Sequence, residues 1–110
     1  MKRGEIYYIN SYNKVDGSEQ QANRPAVIVS NNMNNAHSTT VEIVYLTTQP
    51  KRNLPTHVSI SSTPKPSTAL CEQVTTVSVN RLQNLLGECS REELMEINEA
   101  MMISLGIEVV

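Results

Sequence analysis

Gly17-Ser18-Glu19-Gln20-Gln21-Ala22-Asn23-Arg24-Pro25-Ala26-Val27-Ile28-Val29-Ser30-Asn31 begins as a polar loop and turns into an apolar run. The run from Ala26 to Val29 is continuous and rich in β-branched residues, the mark of a strand buried on both faces. Pro25 stands at the junction. Its ring biases Arg24 away from helical backbone geometry, and its missing amide is least felt at the first residue of a strand. The stretch therefore sets a guanidinium at the mouth of a central strand, beside a loop that carries the Glu19 carboxylate. Taken alone, such an Arg pairs with Glu19 and orders the loop.

Outward from this strand, residues 6–9 read as an opening strand, and residues 41–47 and 56–60 as two later ones. Residues 68–74 form a fifth, extended through 78 past a bend. The segment 11–22 is polar and aperiodic, and loops of that length in a small domain tend to serve function, here a cover for substrate. Residues 31–35, rich in Asn, suit a short capped helix or turn, with His37 at its end as a surface residue. Residues 79–82 look like a single turn. Ser90 and Glu93 form a capping-box pair, and Glu92, Glu93 and Glu96 suit the positive end of a helix dipole. Leu94, Ile97, Met101 and Leu105 recur at helical spacing as a face for the sheet, and Gly106 is a natural stop. Met95 and Met102 lie on another side, available to the core or to a subunit contact. Five strands, a late turn and a terminal helix predict a mostly β (α+β) fold, a small, strongly bent antiparallel sheet or barrel in one domain over residues 1–110.

Composition agrees. One hundred and ten residues suit one domain, and the absence of Phe and Trp leaves Ile, Val, Leu, Met and Tyr to build the core. No stretch reaches the roughly 20 apolar residues of a membrane helix, and no signal-peptide pattern follows Met1, so a cytoplasmic location away from membranes is expected. Cys71 and Cys89 lack partners at ligand spacing and read as buried or incidental thiols, with no metal site. Residues 1–83 hold eight Lys and Arg against five Asp and Glu, while residues 84–110 hold one against six. A mildly basic body with an acidic tail suits salt-sensitive binding of a short RNA and argues against tight, unspecific binding to long duplexes.

Gly17, Glu19, Gln20, Arg24, Pro25 and Asn31, at this spacing, resemble the signature of the MazF/PemK toxins. Lys2-Arg3-Gly4-Glu5-Ile6-Tyr7, Leu54-Pro55-Thr56-His57-Val58, Glu72-Gln73-Val74 and Ser104-Leu105-Gly106 look like further motifs of that family, so the likeness runs from about Arg3 to Gly106. It implies a compact SH3-like antiparallel β-barrel with a short helix after the second strand and a C-terminal helix, usually as a homodimer. It implies the toxin of a type II toxin–antitoxin system, a sequence-specific endoribonuclease (an mRNA interferase) needing neither metal nor cofactor. Its partners would be single-stranded mRNA and a MazE-like antitoxin, with DNA met only through the toxin–antitoxin complex. The family's catalytic Arg corresponds to Arg24 and its catalytic Thr or Ser to Thr47, with Thr48 adjacent. Glu19, Gln20, Thr56, His57, Glu72 and Gln73 would line the RNA groove. Thr75 departs from the Arg common in relatives and removes one cation from the groove.

The implied reaction is attack by an RNA 2′-hydroxyl on the adjacent phosphate, giving a 2′,3′-cyclic phosphate and a 5′-hydroxyl end. The protein then supplies positioning and charge stabilisation. Arg suits the charge through its fork of donors, and its pKa of roughly 12.5–13.8 disfavours a base role. Glu19 would orient Arg24 or act as base. Two other readings stand beside this one: a toxin of the same fold that binds DNA gyrase without cutting RNA, and a non-catalytic SH3-like binding module. The second normally needs aromatics, and this chain has four Tyr and no Trp.

Overall fold

A computed structural model describes residues 1–10, 14–15, 18–19, 23–49 and 51–108. The elements in chain order are β1 (Glu5–Ile9), β2 (Lys14–Val15), β3 (Ser18–Glu19), β4 (Arg24–Ile28), α1 (Asn32–His37) and β5 (Thr40–Thr47). They continue as β6 (His57–Ile60), β7 (Ser67–Ser78), a 3-10 turn (Val79–Arg81), β8 (Leu82–Glu88) and α2 (Arg91–Leu105). Six strands make one antiparallel sheet in the order β6-β7-β5-β4-β1-β8, and β2 pairs with β3 alone.

The apolar run after Pro25 is the middle of this sheet. Ala26, Val27 and Ile28 have no exposed surface. Successive residues of a strand point to opposite faces, and both faces are covered here. On one, Val27 joins Val44, Leu46, Val58, Ile60 and Ala69, with Ile97 and Ala100 of α2 packed on top. On the other, Ala26 and Ile28 join Ile9, Val41, Ile43 and Val77. Cys71 and Cys89 are free thiols within the first cluster, and burial pushes them up to about 11 and about 12. Among the described residues no helix is long and apolar enough to cross a membrane.

α2 starts at the Ser90 capping box and ends at Gly106, whose φ of 68° is left-handed. Glu93 does more than cap. It also accepts from the Ser61 amide at 2.7 Å and from the Ser62 hydroxyl, tying the helix to the β6–β7 connection. Burial pushes the Glu93 carboxyl up, but the hydrogen bonds from Ser62, Ser90 and Ser61 together outweigh this and hold it below the usual value. Leu94 and Met101 pack on the core with Ile97, as the spacing predicts. Leu105, expected on that face, is instead more than half exposed as the last residue of the helix, just before the Gly106 cap.

Two expectations of strand number change. β8 is a sixth strand of the sheet that periodicity does not reveal. It lies at an edge, its pairing with β1 is broken by two irregularities, and most of it faces solvent, so no alternation develops. The short β2–β3 pair lies within the segment read as loop. The sheet bends without closing: β6 and β8 are not paired. Their ends nevertheless approach, since a Cβ added at Gly87 would lie 2.5 Å from the Ser62 carbonyl oxygen. Only glycine fits there, and the near-closure resembles a barrel without its last ladder.

Gly87→Ala should therefore force β8 away from the β6–β7 connection. A loss of about 1–3 kcal/mol is expected, the usual range for overpacking, read as a lower urea midpoint at unchanged slope. An unchanged midpoint would show that the contact yields freely.

Candidate functional site

Arg24 opens β4 and Thr47 closes β5. The two strands pair as Ala26↔Tyr45, Val27↔Val44 and Ile28↔Ile43. Continuing that register by two residues sets Arg24 across from Thr47, and directly opposed residues share a face. Tyr45, two residues before Thr47 and opposite Ala26, lies on the same face, diagonal to Arg24. The Arg24 guanidinium carbon stands 4.4 Å from the centre of its ring, a cation–π contact that holds the fork without using its N–H donors. Beneath lies the apolar cluster of Ile9, Ala26, Ile28 and Ile43, so the cation works against a floor of low polarity, where electrostatic interactions strengthen. Tyr45 went unremarked in the sequence. The period-two parity of β5 was the available signal, since residue 45 shares a face with residue 47.

Thr47 Oγ1 accepts a hydrogen bond from the Gln49 amide at 3.2 Å. The local backbone role open to any strand-end Thr is thus real, and it fixes the oxygen while leaving the hydroxyl proton to donate elsewhere. Thr48 is exposed and follows directly. Both line a hollow of about 320 Å³ with Gln49, Ser59 and Thr68.

Thr56, His57 and Glu72 come together as a hydrogen-bonded group. The cause is a distortion of β7. Val44 pairs with Val74 but Leu46 with Ala69, so residues 70–73 stand against Tyr45 alone. The excess chain carries Glu72 and Gln73 out to solvent. Glu72 Oε1 accepts from the Thr56 hydroxyl at 3.2 Å, and Glu72 Oε2 lies 3.0 Å from His57 Nε2. His57 Nδ1 lies 2.7 Å from the Arg52 carbonyl oxygen. A carbonyl and a carboxylate are both acceptors, so only the doubly protonated imidazolium satisfies both contacts. The hydrogen bond to Glu72 raises the His57 pKa, partial burial opposes it, and the net direction is up. Burial pushes the Glu72 carboxyl up, but its bonds from His57, the backbone and Thr56 prevail and hold it below the usual range.

Of the residues singled out in the sequence, Arg24 and Thr47 are neighbours through register, Thr48 adjoins them, and Thr56, His57 and Glu72 form one group with Gln73 beside it. His57 pairs with Leu70, two places along β6 from Ser59, and so shares the outer face with Arg24 and Thr47. Glu19 lies on β3, paired with Lys14; Gln20 lies outside the described residues. Thr75 is opposite Ile43, on the Arg24 face, with its hydroxyl turned to the Gln73 carbonyl. Among the described residues no three His, Cys, Asp or Glu side chains gather as a metal-binding set.

Residues 2–105 match the family model of the PemK-like, MazF-like toxins of type II toxin–antitoxin systems. The Endoribonuclease MazF of Staphylococcus saprophyticus is 37% identical and aligns with all of this chain and 95% of its own. An endoribonuclease from a Mycobacterial species, solved in complex with its cognate antitoxin, superposes with a TM-score of 0.83 at 29% identity, over 100% of this chain and 99% of that one. The MazE–MazF structure from Deinococcus radiodurans shares the fold, with a TM-score of 0.85 at 20% identity, over 98% and 97% of the two chains.

Glu72→Gln should lower the His57 pKa towards its ordinary 6.5, read by NMR titration of the imidazole. The sign for stability follows. The folded pKa is raised, so the pair's contribution is full below the unfolded pKa and fades as pH rises through the folded one. A His57 titration that does not move in the variant would remove Glu72 as the cause.

Proposed function

The chain belongs to the PemK-like, MazF-like toxins of type II toxin–antitoxin systems, and on that premise we propose that it cuts single-stranded mRNA, sequence-specifically and without a metal, with Arg24 and Thr47 as catalytic residues. The observation that carries this is the β4–β5 register, whose continuation past Ala26↔Tyr45 sets Arg24 opposite Thr47, with Tyr45 holding the guanidinium.

The substrate's own 2′-hydroxyl is the nucleophile. Its proton leaves to a base as it forms the new bond to phosphorus, the bond to the 5′-oxygen breaks, that oxygen takes a proton from Arg24 or water, and the products are a 2′,3′-cyclic phosphate and a 5′-hydroxyl end. Charge accumulates on the phosphate oxygens, and two fixed donors meet it. Arg24 offers a planar fork, which suits phosphate better than a point charge. Thr47 offers its hydroxyl proton. Glu19 orients Arg24 or receives the 2′-hydroxyl proton. His57, cationic in its pair with Glu72, lines the groove with Thr48, Thr56, Gln20 and Gln73 and contacts the flanking nucleotides.

The relative solved with its cognate antitoxin supports a similar partner here, whose acidic segment would cover the Arg24 face. The whole span 1–110 acts as one toxin domain in the bacterial cytoplasm. It acts as a homodimer, for which the more than half-exposed Met95, Ile103, Leu105 and Ile107 supply apolar surface.

Incubated in excess EDTA with a long structureless RNA, the chain should leave discrete fragments with 5′-hydroxyl ends. Arg24→Ala should lose at least ~100-fold in rate, the usual cost of deleting a donor to developing charge, and Thr47→Val about ten-fold. DNA should survive, lacking the 2′-hydroxyl. Intact RNA beside folded protein would end the nuclease assignment. Sedimentation at micromolar concentration should report a dimer that Ile103→Glu dissociates; a wild-type monomer would reject the subunit contact.

A further inference from the structure

Thr47 belongs to a row. Its partner on β7 is Thr68, and the partner of Thr68 on β6 is Ser59. Three hydroxyls thus stand side by side on the face that carries Arg24 and Tyr45. At a strand spacing of roughly 4.7–4.9 Å the row spans about 10 Å. Neither Thr68 nor Ser59 has a hydrogen bond through its hydroxyl among the described residues. The nearby Ser61, Ser62 and Ser67 are all engaged, with Glu93 and the Lys65 carbonyl.

The row walls the 320 Å³ hollow, a volume at the low end of small-molecule sites, roughly 300–1,000 Å³. No residue lining it carries a charge. A phosphate calls for cationic donors, which lie next door at Arg24. Hydroxyls and the Gln49 side-chain carboxamide can donate or accept, and Ile60 and Pro66 add apolar wall. That combination fits the flat face and polar edge of an uncharged nucleobase.

Deepening the nuclease assignment and resting on it, we infer that this hollow seats the base of a nucleotide flanking the scissile phosphate, with Thr68 and Ser59 as specificity-determining residues. Thr47 stands at the joint between the two halves: on one side is Arg24 with the reacting phosphate, on the other the base-reading row. Sequence preference and chemistry are thereby coupled through one strand end.

The test uses the full chain, Thr68→Val and Ser59→Ala, each incubated in EDTA with a random-sequence RNA pool whose cut ends are sequenced. Thermal melts check the fold. Ser59 is exposed on an edge strand, so Ser59→Ala keeps the test open even where Thr68→Val fails to fold. The wild type should cut at a defined motif. The variants should give the same 5′-hydroxyl ends while discrimination at one position beside the cut falls about ten-fold in kcat/KM ratio, the worth of a lost hydrogen bond. An unchanged motif in both folded variants would overturn the inference and leave the nuclease standing. A uniform loss of rate across all sequences would overturn it too, placing the row in catalysis. No cutting by the wild type would remove the nuclease assignment, and the base subsite with it.

Discussion

Ala26, Val27 and Ile28 lose all contact with water on two faces of one strand, and the rest of the molecule is arranged so that they can. Each fully buried Val or Ile side chain is worth about 1.5–3 kcal/mol. Because the faces alternate, the register of β4 is pinned from both sides. A slip of one residue would exchange the two clusters and turn Arg24 towards the face that α2 covers. The position of the Arg24 guanidinium is therefore enforced by apolar packing along the strand behind it.

The same device sets up the other half of the site. β7 is long and pairs with β5 at both ends, but its registers there do not match. The sheet absorbs the misfit within residues 70–73, where Leu70 and Cys71 stay buried while Glu72 and Gln73 turn to solvent, and Glu72 meets His57. A chain of net charge −2 thereby gathers Arg24 and His57, whose pKa its bond to Glu72 raises, on one face, while its excess of acidic residues stays on and around α2. Overall charge hides this arrangement, because binding responds to the local field.

α2 has a mechanical part. Ile97 and Ala100 cover one cluster, and Glu93 grips Ser61 and Ser62 at the β6–β7 connection. That connection joins the strands that carry Ser59 and Thr68. Gly87 permits the edge strand β8 to press against the same place. The hairpin bearing two of the three hydroxyls of the row is thus held from the helix side and from the far edge.

Local sequence determined much of this. The apolar run after Pro25, the alternation of β5 and β6, the Ser90–Glu93 box and the Gly106 stop each follow from backbone and side-chain preferences acting over a few residues. The spaced motifs around Arg24 and Glu72 were equally legible, and with them the family. β8 was not, since an irregular edge strand develops no alternation to read. Leu105 fell outside the core as the last residue of the helix, a position that periodicity alone does not mark. The Arg24–Tyr45 contact and the Thr47–Thr68–Ser59 row depend on register between strands distant in the chain. The bond of His57 to Glu72 depends on a misfit between β5 and β7. Such relations come into being only when the strands pair, and so tertiary structure alone decided them.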